Sequence, residues 1–235
     1  MKYGILFVTA GLLFAAYAVV YGGLTFVLLW PAVSFSLVGS AYLGLGVSVF
    51  GKRPDGSMSV WSVLLLLPYL AYLWTVWYVL RLIKREPPHH VLVPGILIGR
   101  RLLASEFPGG VSLVVDLTCE FPEPVKIRLA CEYHLFPILD GSVSATSRLI
   151  ELAKYIEQHK GTSYIHCAEG HGRTGVVAAV LLLQMQKASS AAQAITMVQD
   201  QRPLVRLGAR QRRIVEAAEN AIKELWHRAD SSAQI

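Results

Sequence analysis

Residues 4–50 contain no Asp, Glu, Lys or Arg, and a second uncharged run covers residues 57–80. About 20 apolar residues are enough to cross the hydrocarbon core of a bilayer. A soluble amphipathic helix would show a polar face, and no polar face recurs anywhere in residues 4–50. That stretch is too long for one span. It divides near Gly22-Gly23, or alternatively at Trp30-Pro31, and a third helix is predicted from about Ser59 to Ile83. Pro68 is expected to kink the third helix without ending it. Trp30, Trp61, Trp74 and Trp77 suit interfacial belts, with some of them packed between helices. Residues 1–85 therefore read as a transmembrane region of about three helices, which accounts for a composition that is 54% hydrophobic.

A cleavable signal peptide competes for the first run, because Lys2 precedes it. One lysine makes a poor n-region, and apolar sequence continues through Gly23 without a small-x-small site followed by polar residues. Arg81, Lys84, Arg85, Arg100 and Arg101 follow the third run, against Lys2, Lys52 and Arg53 on the side that three spans put opposite. This bias predicts a multi-pass integral membrane protein whose remaining domain is cytoplasmic. The three cysteines, Cys119, Cys131 and Cys167, form no disulfide framework and lack metal-ligand spacing. Cys119 and Cys131 read as small core residues.

The chemistry concentrates in His166-Cys167-Ala168-Glu169-Gly170-His171-Gly172-Arg173-Thr174-Gly175. Residues 163–165 read as a short apolar strand, and residues 174–187 as a helix carrying Val176, Val177, Val180, Leu181 and Leu183. A glycine-rich loop between a strand and a helix N-terminus presents backbone N–H groups and the positive end of a helix dipole. Those groups and the Arg173 guanidinium favour a thiolate at Cys167. They also match three phosphoryl oxygens, two of which Arg173 can hold with its planar fork. Thr174 places a hydroxyl where it can donate to the sulfur.

Taken together, His-Cys-x5-Arg-Thr-Gly resembles the signature of the cysteine-dependent protein tyrosine and dual-specificity phosphatases, over roughly residues 91–226. The resemblance implies a metal-free and cofactor-free phosphoric monoester hydrolase. Cys167 is then the nucleophile, and Arg173 and residues 168–172 (Ala168, Glu169, Gly170, His171 and Gly172) bind the substrate, with the Glu169 and His171 side chains at the entrance either tuning substrate choice or solvated. Thr174 assists the sulfur, and His166 shapes the loop from behind. Low-molecular-weight phosphatases carry a similar loop near the chain start, which position 167 argues against. A carboxyl group must protonate the leaving oxygen and later activate water. Asp140 matches the family position, in an apolar strand (136–139) that runs into a turn. Its alternative is an Asp-Gly turn residue or a cap ahead of the following helix. Asp116 and Glu120 are weaker candidates that more readily satisfy local backbone groups. Gln211 matches the water-positioning glutamine of some relatives. Lysines that related phosphoinositide phosphatases often carry at the positions of Ala168 and His171 are absent.

Around this motif, residues 86–90 read as a proline-stiffened linker and residues 91–228 as the catalytic domain. Residues 91–100 form a strand pair or hairpin, and residues 111–117 a central strand. A helix over 144–160 is capped by Ser144 and ended by Gly161. Further helices cover 190–201 and 209–227, separated by Arg202-Pro203, and residues 229–235 are a frayed tail. Alternating strands and helices predict an α/β domain with a central sheet flanked by helices. Arg202, Arg206, Arg210, Arg212 and Arg213 contribute to a net charge of +6. They form either a solvated face or a surface attracted to anionic headgroups or phosphorylated substrates. The resemblance implies a phosphorylated protein or phospholipid as substrate, and the apolar runs predict the lipid bilayer as a partner. No aromatic stacking pattern points to nucleic acid.

Overall fold

The computed structural model describes residues 2–232. The chain divides into two compact units, residues 2–86 with 119–123, and residues 87–118 with 124–232.

In the first unit, three segments are long and apolar enough to cross a membrane: Lys2–Tyr21, Gly23–Phe50 and Val60–Ile83. The first is α1. It ends at Gly22, whose φ of 60° suits glycine, and Thr25 Oγ1 donates to Gly22 O at 2.8 Å. Of the two predicted break points, Gly22-Gly23 is therefore the one used. Trp30-Pro31 instead falls in the first turn of α2 (Leu29–Ser40), where a missing N–H costs nothing. A 3-10 turn (Gly23–Leu28) precedes α2, and a π turn (Ala41–Leu45) and a second 3-10 turn (Gly46–Phe50) follow it.

Small residues let α1 and α2 approach closely. Gly4, Gly11 and Ala18 recur every seven residues and are buried. A Cβ at Gly11 would lie 2.2 Å from Ser36 Oγ and 2.7 Å from Ala32 O. The third segment, α3 (Val60–Ile83), continues through Pro68 as expected. Proline has no N–H for Leu64 O, and Trp30 Nε1 donates to that carbonyl at 3.0 Å. The next amide, Tyr69 N, donates to the buried Ser34 Oγ at 3.2 Å. Backbone groups that the proline would leave unpaired are thus satisfied by α2. Within the same unit, Trp74 Nε1 donates to Glu120 O at 3.0 Å, and the rings of Trp77 and Phe121 lie 5.4 Å apart.

The second unit is a five-stranded sheet in the order β1-β2-β5-β3-β4. Its strands are β1 (His89–Val93), β2 (Ile96–Arg100), β3 (Val111–Asp116), β4 (Glu132–Leu135) and β5 (Thr162–Cys167). All neighbours pair in parallel except the β1–β2 hairpin. The hairpin begins two residues earlier than the sequence suggests, so His89 and His90 belong to a strand and not to a linker. Helices α4 (Val125–Ala130), α5 (Thr146–Gln158), α6 (Gly172–Gln184), α7 (Ala191–Gln201) and α8 (Ala209–Ser232) complete the unit.

α6 is the hub. Every residue from Arg173 to Leu183 is buried, against β5, α5, α7 and α8. This all-round burial explains why the segment reads as apolar on every face.

Four expectations are corrected. The strand before Asp140 is Glu132–Leu135, and residues 136–139 leave regular pairing where Pro137 lacks an N–H. Phe136 N and Ile138 N still donate to Asp116 O and Leu117 O, at 2.9 and 3.1 Å. Ser144 does not cap α5, which starts after Ala145 with no side-chain cap. No helix was expected at Val125–Ala130, a short element that follows Pro124. Finally, α8 continues to Ser232, because residues 228–232 contain no glycine or proline to stop it. Residues 233–235 of the expected tail lie outside the described residues.

Candidate active site

Parallel strands bring their carboxyl ends to one edge of the sheet, where Arg100 pairs in register with Cys167 and Asp116 with His166. Ligand sites of open α/β sheets form at such an edge. Cys167 is the last residue of β5 and is 3% exposed. The loop then turns through Gly170, whose φ is 74°. Gly170 N donates to Cys167 Sγ at 3.3 Å. A Cβ at Gly170 would sit 2.3 Å from the Gly99 carbonyl carbon, so only glycine fits between the loop and β2. His171 is the N-cap residue of α6, and its carbonyl accepts from Gly175 N at 2.8 Å. Ala168, Glu169, His171 and Gly172 are half-buried, and Gly170 is buried.

Arg173 occupies the first turn of α6 and is 2% exposed. Its Nη1 donates to Ile138 O at 2.9 Å and to Leu117 O at 3.4 Å. Its Nη2 lies 3.1 Å from Asp140 Oδ1. Asp140 stands in the turn Leu139–Ser142, closed by a bond from Ser142 N to Leu139 O at 3.0 Å, with Gly141 at a φ of 67°. The Asp-Gly turn is real, and it delivers the carboxylate to the arginine.

Behind the loop, His166 is fully buried with Nε2 3.9 Å from Asp116 Oδ1, and its ring stacks on Tyr164 at 5.5 Å. Asp116 accepts from Thr118 N and Thr118 Oγ1 at 2.7 Å each and from Tyr133 OH at 2.7 Å. Glu120 Oε2 accepts from Cys119 N at 2.9 Å. Both carboxylates serve local groups, as expected from their positions at and just beyond the end of β3. The Thr174 hydroxyl is buried and makes no hydrogen bond. Its expected donation to sulfur is therefore not made in this state. Gln211 lies over the loop: a Cβ at Gly172 would be 2.9 Å from its Nε2, and its Oε1 accepts from Gly208 N at 3.1 Å.

One residue that holds the loop differs from expectation. Arg202 was expected to share a surface cluster with Arg206, Arg210, Arg212 and Arg213. Those four are exposed, but Arg202 is fully buried and donates to the carbonyls of Glu169 and Gly170 at 3.0 and 2.9 Å. Only its place beside Pro203 at the end of α7 distinguished it in the sequence.

Two histidines near this unit's surface resist protonation. Burial lowers the pKa of His89 below 6.5, assisted by the Arg202 charge. Burial also lowers that of His134, partly offset by Glu132. A cavity of about 580 Å³ lined by Leu183, Ile222 and Trp226 lies at the opposite end of α6 and touches none of the loop residues.

With this geometry in hand, residues 101–225 match the model of the PTP-SAK family, described as a Swiss Army Knife protein, DSP-PTPase phosphatase domain. The chain belongs to this family. A viral protein named as a tyrosine phosphatase, 197R of Invertebrate iridescent virus 6, is 37% identical over 92 residues. That match spans 34% of this chain and about a third, 34%, of the viral protein. Tk-PTP in its active form superposes with a TM-score of 0.53 at 22% identity, covering 57% of this chain and 97% of that one. PTPMT1 superposes at 0.52 with 15% identity, covering 60% and 99%. It has also been solved in complex with PI(5)P. These structural likenesses show the fold alone, and the matched phosphatase domain includes the Cys167 loop and Asp140.

Proposed function

We propose that this DSP-PTPase family member is a membrane-anchored phosphatase that hydrolyses phosphomonoesters through a phosphocysteine intermediate. Its substrates are phosphotyrosine, phosphoserine and phosphothreonine in proteins. The reading is carried by one arrangement: Cys167 Sγ under the Gly170 amide at 3.3 Å, with Arg173 and Asp140 paired at 3.1 Å beside the same loop.

On this reading the Cys167 thiolate attacks phosphorus, and the bond to the leaving oxygen breaks as Asp140 transfers its proton to that oxygen. Loop amides and Arg173 stabilise the equatorial oxygens where charge develops. Water then attacks the phosphocysteine while Asp140 accepts a proton. The P–S bond breaks, inorganic phosphate leaves and the thiolate is restored. Gln211, lying over Gly172, orients that water. The Thr174 hydroxyl, buried and unbonded at rest, turns to the sulfur as the P–S bond breaks. Sulfur as nucleophile and arginine as counter-charge call on no metal or cofactor.

Three helices of sufficient length and apolarity support the anchor. The excess of Lys and Arg after the third supports a cytoplasmic catalytic domain. The same helices favour a second reading, in which the substrate is a lipid phosphate of the phosphatidylglycerophosphate or phosphoinositide type. A third reading, a phosphate-binding module without turnover, has the fold and no chemistry.

The test is hydrolysis by the detergent-solubilised full chain and by Cys167→Ser, with phosphopeptides, phospholipids and an aryl phosphate side by side. Phosphate release from peptides that Cys167→Ser abolishes supports the first reading. Release confined to lipids selects the second. No release from any of the three leaves only the phosphate-binding module.

A further inference from the structure

Arg202 closes α7 and is fully buried, yet its guanidinium is surrounded by acceptors. Nε donates to Gly170 O at 2.9 Å and Nη2 to Glu169 O at 3.0 Å. Nη1 donates to Pro87 O at 3.2 Å and to His90 Nδ1 at 2.9 Å. A buried charge persists only where such partners replace water. Arginine is always protonated, so the His90 nitrogen facing it must be the unprotonated one.

The direction of these bonds matters for the loop. In a trans peptide the C=O and the following N–H point in opposite directions. Drawing the Glu169 carbonyl onto Arg202 therefore turns the Gly170 amide away from it, and that amide is the one that donates to Cys167 Sγ at 3.3 Å. Drawing the Gly170 carbonyl onto Arg202 turns the His171 amide to the same side. A single side chain thus sets the orientation of two successive loop amides. Its other edge is gripped by Pro87 and His90, in the segment that follows α3.

We propose that Arg202 and His90 are positioning residues of the Cys167 loop, so that the segment just beyond the third apolar helix is a working part of the site and not a passive tether. Calling that loop phosphate-binding rests on the phosphatase reading above. The clamp itself rests only on the geometry. Lysine cannot span these acceptors, because it lacks the planar fork. Asparagine at position 90 keeps a short-chain acceptor, and alanine does not.

The test uses the full chain in detergent as wild type, Arg202→Met, Arg202→Lys, His90→Ala and His90→Asn. Hydrogen exchange of amides 168–171 is measured together with kcat, KM and inhibition by orthovanadate on an aryl phosphate. Arg202→Met is expected to speed loop exchange and to lower kcat/KM about 100-fold, mostly through kcat, with vanadate affinity falling alongside. Arg202→Lys recovers a fraction of this. His90→Ala loses about tenfold, the worth of one hydrogen bond to a charged group, and His90→Asn stays near wild type.

Loop exchange and kcat/KM within twofold of wild type in both Arg202→Met and His90→Ala overturn the proposal. If Arg202→Met does not fold, the His90 pair decides, and equal behaviour of Ala and Asn overturns it. A wild type without turnover whose loop still loosens in the variants sinks the phosphatase reading and leaves the clamp standing. An active wild type whose loop ignores both substitutions does the reverse.

Discussion

Arg173 Nη2 and Asp140 Oδ1 lie 3.1 Å apart, although the arginine side chain is 1% exposed and the aspartate 74%. The guanidinium expected to grip a phosphoryl group is thus held, before substrate arrives, by the carboxylate expected to protonate the leaving oxygen. A partner so exposed is screened by water and contributes little to stability. The pair therefore separates readily when a dianion competes for the cation.

Asp140→Asn tests both roles. Loss of a general acid lowers kcat by about 10²–10⁴ for an alkyl phosphate and much less for a nitrophenyl ester, whose leaving group needs no proton. Orthovanadate binds the variant at least as tightly, since no carboxylate competes for Arg173. Leaving-group dependence of kcat and the vanadate inhibition constant check the two statements, and an unchanged rate on the alkyl ester removes Asp140 from the mechanism.

Gly170→Ala forces a Cβ to within 2.3 Å of the Gly99 backbone at a φ of 74°. Backbone strain of this kind costs about 1–3 kcal/mol. The loop can escape it only by moving its amide off Cys167. We expect a lowered unfolding temperature together with lost turnover. Ala at Gly109, where a Cβ meets nothing within 4 Å, serves as the control.

His89 and His134 both have pKa values depressed below 6.5 by burial. The unfolded chain then takes up protons at these sites before the folded chain does. Their contribution is complete above pH 6.5 and is lost as the pH falls through the depressed folded values, so stability declines on the acid side. Thermal unfolding in detergent between pH 7.5 and 5 should show that slope. The double substitution His89→Gln and His134→Gln should flatten it, and an unchanged slope assigns the acid sensitivity elsewhere.

Within the apolar helices, Trp30→Phe leaves the Leu64 carbonyl without the donor that Pro68 cannot supply. Unmet carbonyls of this sort cost about 1–3 kcal/mol. Gly11→Leu must part α1 from α2, because its first carbon already falls 2.2 Å from Ser36 Oγ. Both variants should unfold at lower detergent or temperature than wild type, while Trp61→Phe, at a residue 80% exposed, should not.

What could be read from the sequence was local. The strand, loop and helix around Cys167 are contiguous, so spacing alone placed Cys167 and Arg173 on one bend. The apolar runs likewise declared their own lengths. Asp140 was reachable as a candidate because it matches the family position of the acid, although its strand was misplaced by four residues: Phe136 and Ile138 look like strand residues, and the sheet bonds they make are interrupted at Pro137. Arg202 was out of reach. Its partners Glu169, Gly170, His90 and Pro87 stand 33, 32, 112 and 115 positions away, and a buried arginine beside four exposed ones looks like a fifth. The choice between Gly22-Gly23 and Trp30-Pro31 was equally invisible, since a proline two residues into a helix and a proline between helices read alike.

Gly99 lies with its backbone wedged between Pro88 O, where an added Cβ would fall at 2.3 Å, and the turn of the Cys167 loop at Gly170. Main chain packed on main chain leaves neither layer room to rearrange independently. The loop that we propose binds phosphate is thus held in place before any oxyanion enters it, and on that reading capture freezes few additional torsions. Association with small tetrahedral anions should show a modest entropic penalty, and changes in affinity should come from charge and hydrogen bonding at a fixed receptor.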